Sequence, residues 1–99
     1  MTLEERALAL LRANRRTTRG HQYTLPSPTS YPYQWLWDSC FHAIVLARLE
    51  PDAAKKELES LVSRQFENGM IPHIIYWEKP PNDKDRSNLD IAWGKNGTS

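Results

Sequence analysis

Only one cysteine, Cys40, occurs among the 99 residues, so no disulfide can close within the chain. Charge of one sign is equally scarce. Thirteen Lys and Arg stand against twelve Asp and Glu, a formal net charge of +1, which leaves no field to draw the chain to DNA, RNA or an anionic membrane. Neither a secretory pattern nor a long apolar run is visible, which makes the cytoplasm the expected compartment. Apolar residues make up 39%, below the roughly 45–50% of ordinary globular chains, so one domain with a marginal core is the most this length supports. Aromatics, by contrast, are concentrated. Of four Trp and four Tyr, seven lie between Tyr23 and Trp77.

Thr2 and Glu5 form a capping box, which predicts a helix start. Leu3, Ala7, Leu10, Leu11 and Asn14 follow at helical spacing, with Arg15 and Arg16 towards its C-terminal end, and Gly20 closes the helical reading. The arginines of this stretch read as a solvated face, since Glu4 and Glu5 offset them and no aromatic is interleaved. From His21 to Gln34, Pro26, Pro28 and Pro32 predict an ordered or semi-extended loop rather than a helix. Asp38 or Ser39 is then a good N-cap for Cys40 to Leu49, which is apolar nearly all round. Pro51 suits the first turn of another helix, in which Ala54, Leu58, Leu61, Val62, Gln65 and Phe66 recur at three and four, opposite Lys55, Lys56, Glu57, Glu59 and Arg64. Asn68 and Gly69 supply its stop. So short a link predicts an antiparallel pair, with an inner helix needing neighbours on all sides and an outer one showing a face to water. The polar, turn-rich tail from Lys79 onward adds no layer, so the expectation is an all-α, N-terminal piece of something larger.

Tyr31, Tyr33, Trp35 and Trp37 recur at every second position, and in an extended segment alternate side chains share a face. Four rings on one open face suit a sugar, whose C–H groups lie on π faces while its hydroxyls meet polar neighbours such as Gln34 and Asp38. The same rings could equally plug a core. Asp38 likewise carries two compatible readings, a helix cap and an acceptor for substrate hydroxyls at a helix N-terminus. A Cys40–His42 nucleophile is opposed by helix geometry, because residues two apart do not face each other. Zinc is opposed by spacing, since C-x-H lacks the metal-finger pattern and only His21 and His73 remain elsewhere. His73 sits in an apolar run heading back towards the aromatic stripe, either as a structural histidine or as a ligand contact.

The joined segments W-x-W-D-S from Trp35 and Q-x-x-N-G-M-I-P-H from Gln65, with the helices between them, make Tyr31 to Trp77 resemble the N-terminal part of the catalytic domain in glycoside hydrolase family 63, the mannosylglycerate and glucosylglycerate hydrolases above all. The resemblance implies an (α/α) toroid of six inner and six outer helices, of which residues 1–99 would be a partial domain truncated at its C-terminal end. It implies that Tyr31, Trp35, Trp37 and Asp38 line the pocket for the first sugar, and that His73 lies on a loop near the aglycone. Tyr33 and Gln34 stay undecided. The family's general acid and general base, an Asp and a Glu, would lie beyond Ser99, as inverting hydrolysis needs two carboxyls about 6.5–9.5 Å apart and nothing in this sequence is placed to partner Asp38. The expectation is therefore part of an inverting α-glycosidase acting on a small glycoside, without cofactor, metal, nucleic acid or membrane. The alternatives are an oligosaccharide or processing α-glucosidase of the same fold, and a non-catalytic helical module that binds sugar or protein.

Overall fold

The computed structural model describes residues 1–77; the tail from Lys79 onward, with Asn96-Gly97-Thr98, a match to a glycosylation sequon discounted for want of a secretory signal, lies outside them. Three helices and two small antiparallel strand pairs make up the described chain: α1 (Leu3–Ala13), β1 (Arg15–Thr18), β2 (His21–Thr24), β3 (Gln34–Trp35), α2 (Leu36–Leu49), α3 (Pro51–Val62) and β4 (Ile74–Ile75). The helical content agrees with the all-α expectation. The strand pairs correct it.

Helix α1 begins where the capping box places it, with Thr2 Oγ1 accepting from the Glu5 amide at 3.0 Å. Its stripe is buried only in part, because Leu3 and Leu10 are exposed while Leu8 and Leu11 pack on Leu46, Ala53 and Ala54. Arg15 and Arg16 are not helical. They open a hairpin in which Arg15 pairs with Thr24 and Thr18 with His21. Arg19 and Gly20, at φ 52° and 80°, form the two-residue turn, since two left-handed residues give the twist that adjoining strands require. Gly20 thus closes a hairpin, and the helix has already ended at Asn14.

Helices α2 and α3 run antiparallel, as the single-residue link at Glu50 demands. Leu46 near the end of α2 meets Ala53 and Ala54, and Ser39 near its start reaches Glu57. The face of α3 differs from the expected one. Ala53, Ala54, Glu57, Ser60 and Leu61 are buried, whereas Leu58 and Val62 are exposed. On α2 the matching buried residues are Ser39, Ala43 and Leu46. Small side chains on both facing stripes let the helix axes approach, so close packing outweighs apolar count in choosing the face. The opposite side of α2 leaves Trp37, Phe41, Ile44 and Val45 exposed among the described residues. A second cluster, of Tyr23, Leu25, Leu61, Ile75 and Trp77, joins the hairpin to α3 and β4.

Glu50, at the helix link, accepts from Arg15 and, at 3.1 Å, from Arg12. The Arg15 hydrogen bond, opposed by partial burial and helped by Arg12, brings its carboxyl down to about 2. A depressed carboxyl contributes stability that is present above its unfolded value and lost as pH falls through the folded one. Acid titration should therefore remove about 1–2 kcal/mol between roughly pH 5 and pH 2, a figure reduced for solvent screening at the half-exposed Arg12. Glu50→Gln should lose that amount at pH 7 and show a flatter acid limb in denaturant melts. An unchanged limb would show that the Arg15–Glu50 bond carries no net stability.

Candidate functional site

The segment from Tyr31 to Asp38 is extended for only part of its length. Tyr31 exchanges backbone hydrogen bonds with Ser27, at 3.1 and 3.4 Å, which folds the proline loop back on itself. Gln34 and Trp35 form β3, and the chain turns into helix at Leu36. Alternation therefore holds through Trp35 and fails at Trp37. Tyr31 meets Trp35 edge-on with ring centroids 5.6 Å apart, Tyr33 lies tilted at 5.6 Å from the same ring, and Tyr33 also packs edge-on against Tyr76 at 4.8 Å. Trp37 leaves this group and stacks edge-on with Phe41, one helical turn on, at 5.5 Å. The four rings do not share one face. Three of them cluster before the turn, and the fourth, Trp37, pairs with Phe41 on the helix beyond it.

Asp38 is not the helix cap. The N-cap position is Trp35, which makes no side-chain capping bond, and Asp38 lies in the first turn, at the third residue of α2. The free N–H groups there still favour a carboxylate, and among the described residues its side chain has no hydrogen-bond or ion-pair partner. Ser39, the other cap candidate, is fully buried inside the helix pair. His73 does return to the turn: β4 pairs with β3, Trp35 opposite Ile74, and the Leu36 amide donates to the His73 carbonyl at 2.9 Å. His73 itself is exposed beside the turn. Tyr31, Trp35 and His73 are thus gathered at one end of the α2–α3 pair, with Trp37 and Asp38 on its first helical turn.

Beneath this turn lies a polar cluster that the sequence reading missed. Glu57, 2% exposed, accepts from the Thr24 amide at 3.0 Å, the Thr24 hydroxyl at 2.7 Å and the Ser39 hydroxyl at 2.7 Å. Burial pushes its carboxyl above the usual range, partly offset by the Thr24 and Ser39 hydrogen bonds and by nearby His42. A raised carboxyl invites the role of general acid, but Glu57 is closed to any substrate. It is an anchor instead. The available signal was the Ala53, Ala54, Glu57, Ser60, Leu61 spacing, a helical stripe of mostly small residues with one acid in its centre. Cys40 is exposed, and no group of three His, Cys, Asp or Glu among the described residues could hold a metal. No helix there is long and apolar enough to cross a membrane.

The family model for the mannosylglycerate hydrolase MGH1-like glycoside hydrolase domain matches residues 31–99. A mannosylglycerate hydrolase of Selaginella moellendorffii is 48% identical over 54 residues, covering 54% of this chain and 11% of that protein. A glucosylglycerate hydrolase of Mycolicibacterium hassiacum is 46% identical over 74 residues, covering 75% of this chain and 16% of the relative. A mannosylglycerate hydrolase of Thermus thermophilus is 41% identical over 81 residues, covering 81% and 19%. The chain thus spans about a tenth to a fifth of the length of these relatives. No solved structure matches it.

Proposed function

The chain belongs to the MGH1-like glycoside hydrolase family, and on that premise we propose that it forms part of an inverting glycosidase that hydrolyses a small glycoside such as mannosylglycerate or glucosylglycerate. In this reading α2 and α3 are one inner and outer helix pair of an (α/α) toroid, and the turn between β3 and α2 supplies part of the wall around the first sugar. The observation that carries it is the exposed setting of Tyr31 and Trp37 on either side of Trp35, with Asp38 beside them making no side-chain bond among the described residues. Rings in that setting offer π faces to sugar C–H groups. A carboxylate near a helix N-terminus can accept hydrogen bonds from sugar hydroxyls. His73, brought beside the turn by β4, takes the position next to the aglycone. The acid that protonates the leaving oxygen and the base that activates water come from outside this chain. The four apolar side chains exposed on α2 support the inner-helix assignment, since such a face packs against further helices.

The test is turnover by the full-length protein of mannosylglycerate, glucosylglycerate and longer α-glucosides, with the anomer of the released sugar followed by NMR. Inverted product from the two glycerates supports the proposal. Preference for the longer glucosides favours an oligosaccharide α-glucosidase, and retained configuration removes the inverting mechanism.

The two tryptophans should separate in stability. Trp37 is 68% exposed, so Trp37→Ala should cost under about 1 kcal/mol, whereas a core Trp costs about 3–5. Half-buried Trp35 should fall between. Both variants should raise KM for the glycoside by roughly tenfold, the loss of one ring contact of about 1 kcal/mol or more. Trp37→Ala with an unchanged KM would place that ring outside the sugar pocket.

A further inference from the structure

The turn that carries Trp35, Trp37 and Asp38 is gripped at both ends by side chains that never reach the open surface. Gln34 precedes it and Ser39 follows it, and both are 0% exposed. Gln34 Nε2 donates to Ser39 Oγ at 2.9 Å, tying the two ends of the turn to each other. The same nitrogen donates to Ser60 Oγ at 2.9 Å, and Gln34 Oε1 accepts from Trp77 Nε1 at 2.7 Å. Because an indole nitrogen only donates, that last bond settles which end of the amide is oxygen, and both amide hydrogens are then used. Ser39 Oγ in turn donates to Glu57 Oε2 at 2.7 Å.

Stability does not require such an arrangement, since apolar side chains of similar volume fill a core at least as well. Hydrogen bonds add direction. One bond here ties the two ends of the turn together and the others restrain an end against α3 or Trp77, and a fully satisfied buried network has one geometry. We propose that Gln34 and Ser39 are positioning residues, a buried clasp anchored on Glu57 and Ser60 that holds the strand-to-helix turn in the orientation that presents Trp35, Trp37 and Asp38 to the sugar. The inference rests on the proposed sugar-binding role of that turn. Thr24 provides the internal comparison. It bonds the same Glu57 carboxylate from the hairpin but has no covalent neighbour in the turn.

The experiment uses the full-length protein, with mannosylglycerate and glucosylglycerate as substrates, and measures kcat, KM and Tm for wild type, Ser39→Ala, Thr24→Val and Asp38→Asn. Ser39→Ala and Thr24→Val each delete one hydroxyl bonded to Glu57 and should lower Tm by similar amounts. Only Ser39→Ala should lower kcat/KM by about tenfold or more, because small displacements of binding groups are costly to the rate; Thr24→Val should stay within about threefold. If Ser39→Ala does not fold, Ser60→Ala, which releases the other acceptor of the Gln34 amide, should show the same split from Thr24→Val. Equal losses of activity in the Ser and Thr variants, or full activity in the Ser variant, overturn the clasp. Impaired Asp38→Asn beside intact Ser39→Ala overturns it alone. A wild type inert on both glycosides, or Asp38→Asn with full activity, overturns the functional reading and the clasp with it.

Discussion

Glu57→Ala should cost about 3–5 kcal/mol, from the buried donors it leaves without an acceptor and the cavity its side chain leaves behind, which is a large share of the roughly 5–15 kcal/mol that holds a domain together. The Thr24 amide, the Thr24 hydroxyl and the Ser39 hydroxyl all lose their acceptor. Hydroxyls can turn elsewhere, but a backbone N–H cannot, and each buried orphan costs about 1–3 kcal/mol. Thr24 lies in β2 and Ser39 in α2, so the substitution loosens the hairpin and both long helices together. Glu57→Gln keeps the volume and one acceptor and should cost less. The two residues also differ in their pH response. The Glu57 carboxyl is raised in the folded state, so its contribution is complete below the unfolded value near 4.5, and it is lost as pH rises through the folded value. The amide has no such loss. The stability gap between wild type and Glu57→Gln should therefore narrow from pH 4 to pH 8 in denaturant melts. A constant gap, or an Ala variant within about 1 kcal/mol of wild type, would mean that this carboxyl does not anchor the fold.

Asp38→Asn should lower kcat/KM by about 10- to 100-fold while Tm barely moves. A carboxylate accepting from sugar hydroxyls contributes roughly 1.5–3 kcal/mol, and each 1.36 kcal/mol is a factor of ten. An amide accepts more weakly and donates on one side. The fold sharpens the comparison, because Asp38 is not the cap of α2. Asp38→Ala then forfeits no capping bond, only the favourable placement of charge near a helix N-terminus, about 0.3–1 kcal/mol. Asn and Ala should thus match in stability and both fail in turnover. Melting curves beside kcat/KM for the three proteins check this, and wild-type turnover in the Asn variant would remove Asp38 from the sugar site.

Features decided by neighbours in the chain were legible in the sequence. The Thr2 cap, the non-helical proline segment, Pro51 at the start of α3 and the antiparallel pairing of α2 with α3 each follow from backbone geometry within a few residues. The return of His73 towards the turn was read from the apolar run that leaves the outer helix. Features decided by partners far along the chain were not. Alternation in Tyr31, Tyr33, Trp35 and Trp37 is a property of extended backbone, and only the pairing of β3 with β4 shows that extension ends at Trp35 and releases Trp37 to the helix. The cap moved for the same reason: the Leu36 amide is already held by the His73 carbonyl, so the helix starts earlier than Asp38. The inward face of α3 was settled by contact between small residues on two helices. Packing distance between surfaces is a property of the pair, and no single helix displays it. Glu57 is the clearest case, a charge that composition places in water and that three donors from two other elements bring inside.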